Sequence, residues 1–143
     1  MQINDAGLAL IKRAEGLRLD SYRDCVGVAT VGFGHTGPDV RIPMTITPGE
    51  ADRLLHGDVA RFEAGVTACL AGAKTTSNQF SAMVSLAYNI GLGNFATCTV
   101  LKRHKLGNYD TAANAFMLWN RAGNKVLPGL TKRRQAEREL YLA

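Results

Sequence analysis

The 143-residue chain is 46% hydrophobic and 20% charged, the balance of a globular protein rather than a disordered or fibrous one. No apolar run approaches the ~18 residues a membrane-spanning helix needs. The opening MQINDAGLALIKRAEG lacks the long apolar block of a secretory signal, so the product is expected to stay where it is made. The net charge of +5 is uneven: residues 1–101 carry 8 basic and 9 acidic side chains, while residues 102–143 carry 9 basic and 3 acidic. That asymmetry points to an anionic partner for the C-terminal part, either a nucleic acid or an acidic cell-wall polymer, or to a solvated basic face.

Asp5 is placed to cap a first helix with Leu8, Ile11 and Ala14 at helical spacing and Gly16 as its stop. Leu17 to Arg23 then leads into the turn-like DCVG, and Val28 to His35 reads as one strand. On that strand Thr30, Gly32 and Gly34 share a nearly bare face, while Val31 and Phe33 share a bulky one. Pro38 and Pro43 make the next stretch loop or edge. Thr47, Pro48 and Glu50 spell a capped helix start, and Ala51, Leu54, Leu55, Val59, Phe62 and Val66 carry that helix to about Leu70. TTSNQ opens another, with Phe80, Met83, Val84, Ala87 and Ile90 as its buried stripe and Gly91 at its end. Shorter helices are predicted over Thr97–Leu106, Asp110–Trp119 and Leu130–Leu142, with Trp119 in the core. The fold class is therefore α+β, in one domain spanning 1–143: a sheet lobe of about 15–46, and a helical lobe of about 47–143 joined by the N-terminal helix 5–15.

Cys25, Cys69 and Cys98 are odd in number and far apart, as are His35, His56 and His104. Neither set has metal-ligand spacing, so no metal and no cofactor is expected, and the cysteines read as small residues of a reducing compartment.

TVGFGHTG contains G-x-G-x-x-G at Gly32, Gly34 and Gly37. A dinucleotide site needs those glycines to open a helix directly after a strand, and here no helical period begins before Thr47. The glycines are instead expected to let a substrate lie close to the strand. Upstream, Glu15 ends the first helix, Asp24 sits in the turn, and Thr30 lies on the bare face. A carboxyl at a helix–sheet junction is partly desolvated and holds its proton, whereas one in a polar turn ionises. Two carboxyls separated in this way suit glycoside hydrolysis, although isolated carboxylates are more often merely solvated.

AEGLRLDSYRDCVGVATVGFGHT, residues 14–36, resembles the active-site segment of the phage-type lysozymes, the endolysins of glycoside hydrolase family 24. Glu15, Asp24 and Thr30 match that family's Glu-8-Asp-5-Thr spacing, and SNQFSAMVSLAYNIG, WNRAGNKVLPGL and Arg133–Arg134 extend the similarity over nearly the whole chain. Some members carry cysteine where this chain has Asp24. The resemblance implies a lysozyme-like fold and cleavage of the β-1,4 bond between N-acetylmuramic acid and N-acetylglucosamine in peptidoglycan. Glu15 is then the acid, Asp24 orients or deprotonates a water, and Thr30 holds it. An inverting outcome is implied, with the carboxyls about 6.5–9.5 Å apart. Gly32, Gly34, Asn89 and Gly91 are implied substrate contacts, and Arg133 or Arg134 an ion-pairing neighbour of Glu15. On the bulky face His35 is expected to pair with Asp58 in a structural role. The expected biology is a monomeric enzyme that gathers in the host cytoplasm and reaches the wall through a holin, with no nucleic-acid or membrane partner. A lytic transglycosylase is the nearest competitor, though it has no need of Asp24 and Thr30. A basic binding module is the other, but no helix-turn-helix signature or aromatic-rich basic sheet supports it.

Overall fold

A computed structural model describes all residues 1–143, in two compact units. One comprises Lys12–Arg61; the other comprises Met1–Ile11 with Phe62–Ala143. The unit boundaries therefore fall inside the first two helices, not at residues 15 and 47.

In the Lys12–Arg61 unit, strands β1 (Arg18–Arg23), β2 (Ala29–Gly32) and β3 (His35–Thr36) form an antiparallel sheet in that order. The expected single strand 28–35 is in fact two strands. Gly34, at φ +79°, supplies the left-handed backbone that reverses the chain after Phe33. The register places Tyr22 opposite Thr30 and Arg18 opposite Gly32, with a bulge between Arg18 and Tyr22. Across the other edge of β2, Thr30 faces Thr36 and Val31 faces His35. The segment before the next helix closes onto β1 through Ser21 N–H to the Met44 carbonyl (2.8 Å) and Ile46 N–H to the Leu19 carbonyl (2.9 Å). Val31, Val40, Ile46 and Ala51 are the buried centre, flanked by Leu19, Ala29, Phe33, Met44 and Leu54. Helix α2 (Pro48–Leu70) begins at the expected capping box: Thr47 Oγ1 accepts from Glu50 N–H at 3.1 Å, and Glu50 Oε1 accepts from Thr47 N–H at 3.2 Å.

Helix α1 (Asp5–Glu15) starts at its predicted cap residue, one position earlier than expected. Asn4, not Asp5, is that cap, its Oδ1 accepting from Gly7 N–H at 3.0 Å. Gly7, Leu10 and Ile11 are the residues that α1 buries, while Ala14 is exposed. In the second unit, α3 (Ser77–Ile90) is capped by Thr76 and Gln79 and buries every residue from Gln79 to Ala87. It packs against α7 (Pro128–Leu142), whose first residue is Pro128.

The predicted helix Thr97–Leu106 is α5 (Thr99–Lys105), and a further short helix, α4 (Leu92–Ala96), precedes it. Helix α6 (Tyr109–Ala115) gives way to a 3₁₀ turn at Phe116–Leu118. A hairpin of β4 (Arg121–Ala122) and β5 (Lys125–Val126) follows around Gly123–Asn124, a glycine–asparagine turn signal that the sequence reading passed over. Trp119 is half-buried, not a core residue.

Candidate active site

The first unit gathers Glu15, Asp24 and Thr30. Glu15 is the last residue of α1, half-buried. The helix stops there because Gly16 takes φ +73° and its N–H closes on the Lys12 carbonyl at 3.0 Å. Gly34 backs the carboxyl: a Cβ at that position would lie 2.8 Å from Glu15 Oε1. The bare face therefore makes room first for the protein's own acid. At Gly32 the reason for glycine is conformational. Its φ is +71°, and a Cβ there would meet Ile46 and Ala51 at ordinary contact distances of 3.5 and 3.7 Å. Neither glycine leaves the open strand face that the sequence suggested.

Asp24 heads a self-contained loop. Its Oδ1 accepts from Val26 N–H and Val28 N–H, both at 2.9 Å, which is an Asx-type turn built from one carboxylate oxygen. Asp24 N–H donates to the Val28 carbonyl at 2.9 Å, and Gly27 N–H to the Asp24 carbonyl at 3.0 Å. Arg23 Nη1 adds a bond to the Gly27 carbonyl at 3.1 Å. Oδ1 is thus committed to the backbone, while Oδ2 accepts no hydrogen bond from the protein. Thr30 is buried, at 4% exposure. Its hydroxyl donates to the Val28 carbonyl at 2.9 Å, so toward any further partner it offers a lone pair and not a proton.

His35 reaches α2 as expected, with Nδ1 2.7 Å from Asp58 Oδ2. A second partner escaped the sequence reading: Nε2 lies 2.9 Å from Asp39 Oδ2. The i,i+4 spacing of His35 and Asp39 was its only signal. Burial alone would lower the His35 pKa, but the hydrogen bonds and charges of Asp58 and Asp39 outweigh it, and the net direction is up. The bond to His35 in turn lowers the Asp39 carboxyl.

Asn89, Gly91, Arg133 and Arg134 belong to the other unit. Asn89 is exposed in the last turn of α3, and Gly91 (φ +89°) joins α3 to α4. Arg133 and Arg134 are buried on α7, and both hold Glu137, itself fully buried: Arg133 Nε at 3.3 Å from Oε2 and Arg134 Nε at 2.7 Å from Oε1. Ser85 on α3 donates its hydroxyl to the same carboxylate, and Arg133 Nη2 reaches the Ser85 carbonyl at 3.2 Å. Glu137 had no sequence signal, because a charged residue on a polar helix reads as solvated.

Residues 12–137 match the family model described as phage lysozyme. The chain belongs to the phage lysozyme family. It is 44% identical to an endolysin of Bacillus phage B103, over 99% of this chain and 54% of that protein. It is 42% identical to the endolysin of Salmonella phage P22, over 100% of this chain and 99% of that one. The chain thus spans about half the length of the Bacillus phage relative and almost all of the Salmonella phage one. Among solved structures it resembles the muramidase domain of SpmX from Asticaccaulis excentricus, with a TM-score of 0.93 at 35% identity, covering 99% of this chain and 98% of that one. The fold is lysozyme-like, as the family implies.

Proposed function

We propose that this phage lysozyme hydrolyses the β-1,4 bond from N-acetylmuramic acid to N-acetylglucosamine in peptidoglycan, with Glu15 as general acid and a water activated by Asp24 and Thr30. The observation that carries it is the hydrogen-bond bookkeeping of the 24–30 loop. Asp24 Oδ1 is saturated by two amides, and the Thr30 hydroxyl has already given its proton to Val28. What remains is one carboxylate oxygen and one hydroxyl lone pair, both acceptors. A water donating one proton to each keeps a lone pair for the anomeric carbon. As the C–O bond forms, Asp24 takes the proton, and Glu15 gives its own to the departing glycosidic oxygen. Direct displacement of this kind inverts the anomeric centre and needs the two carboxyls about 6.5–9.5 Å apart.

The endolysin names of the relatives extend the reading to host lysis. Here the chain acts as a monomer on the wall, released from the host cytoplasm with a holin giving access and neither metal nor cofactor taking part. Gly32, Gly34, Asn89 and Gly91 remain candidates for sugar contacts.

A turbidity assay on outer-membrane-stripped Gram-negative cells tests the acid. The natural chain is expected to clear them, and a folded Glu15→Gln variant to lose at least ~10²-fold in rate, the lower end of what a positioned acid contributes. Clearing by the variant at the natural rate would remove Glu15 from its role. Product mass separates hydrolysis from transglycosylation, since only hydrolysis adds a water.

A further inference from the structure

Arg18, exposed at the first position of β1, has its guanidinium carbon 4.2 Å from the centre of the Tyr22 ring. No carboxylate pairs with it, so its five N–H donors are open. Strand register sets where this stacked pair stands. Tyr22 is directly opposite Thr30, and residues opposed in an antiparallel pair present their side chains on one face. Arg18 is opposite Gly32. Thr30 and Gly32 are two strand positions apart, about 7 Å. The stacked pair thus stands across from the strand positions that flank the Thr30 hydroxyl, which we assign to the attacking water. Stacking on the ring fixes the guanidinium plane and leaves its N–H edge for a planar bidentate anion.

We propose that Arg18, held by Tyr22, binds a carboxylate on the lactyl-peptide arm of the muramic acid residue. The inference rests on the muramidase reading above. The anions of the wall polymer are carboxylates: the lactyl group itself where no peptide is attached, or the stem peptide where one is. Both offer the same fork-matching chemistry. Arg18 then reads substrate charge, not the sugar, and distinguishes muramyl polymers from uncharged glycans.

Steady-state hydrolysis by the full chain tests this on three substrates: intact Gram-negative sacculi, sacculi whose carboxylates have been converted to amides, and glycan strands stripped of peptide by an amidase. Arg18→Gln is expected to raise KM about tenfold on intact sacculi with kcat within about twofold. On amidated sacculi it is expected to match the natural chain, which itself loses at least that factor there. Tyr22→Leu is expected to reproduce part of the rise and Tyr22→Phe none, with thermal unfolding confirming that each variant folds. Because the lactyl carboxyl is an amide wherever a stem peptide is attached, the effect on intact sacculi reports the stem, and its persistence on stripped strands shows that the freed lactyl carboxylate binds Arg18 as well. An unchanged KM on intact sacculi, or an equal rise on amidated ones, would overturn the proposal and leave Arg18 as an exposed charge stacked on Tyr22. A natural chain that cuts no sacculi at all would instead sink the muramidase reading, and this inference with it.

Discussion

Gly34 shows how one missing side chain shapes the site. Its backbone requires φ +79°, and the space where a Cβ would stand is occupied by the Glu15 carboxyl. Gly34→Ala is therefore expected to cost about 1–2 kcal/mol from the left-handed backbone alone, read by denaturant unfolding. It is also expected to lower kcat by displacing the acid, read on sacculi. Full stability and full activity together would contradict the placement. His35 makes a different kind of statement. Its pKa is raised in the folded state, so the stability it contributes is complete below the ordinary histidine value of about 6.5, as long as Asp58 and Asp39 stay ionised, and is lost as pH rises through the raised value. His35→Gln should thus be most destabilising near pH 5–6 and progressively milder above neutrality, as thermal unfolding across that range would show. A penalty that grows toward alkaline pH would reverse the sign and sink the assignment. Activity at full folding should be little changed, because His35 bonds to Asp58 and Asp39 and not to the proposed catalytic groups.

At the scale of elements, the helices that open with paired caps were legible. Thr47 with Glu50 and Thr76 with Gln79 each satisfy two orphan amides locally, so four residues suffice to place a helix start. The sheet was harder to read. Val28 to His35 alternates like one strand, and it is divided by the positive φ values at Gly32 and Gly34, which composition does not announce. The chemistry proposed for the first unit could be argued from sequence because Glu15, Asp24 and Thr30 lie within sixteen residues of one another. The buried triad of the second unit was not, because burying Glu137 between Arg133 and Arg134 is decided by how α7 packs on α3. That burial has a measurable consequence. Glu137→Gln removes the buried carboxylate charge that Arg133 and Arg134 share and is expected to destabilise by about 3–5 kcal/mol in equilibrium unfolding. A change below about 1 kcal/mol would show that the triad is not desolvated as described.

For the whole molecule, the surplus of positive charge in residues 102–143 acquires a sense once the partner is peptidoglycan, a polymer bearing carboxylates. KM on sacculi should rise with ionic strength as screening shortens the reach of those charges, and a chromogenic uncharged glycan should show no such dependence. Function was readable from sequence further than architecture was, because the family motif that points to it, and the site proposed from it, lie close together in the chain, whereas the two units draw on residues scattered along it. The central claim is that water, oriented by the free oxygen of Asp24 and the lone pair of Thr30, attacks the anomeric carbon directly. Proton NMR of the first turnovers on a soluble muramyl oligomer reads the outcome before mutarotation. The account predicts that the new reducing end appears first as the α-anomer. A β-anomer, or a 1,6-anhydro end with no added water, would contradict it.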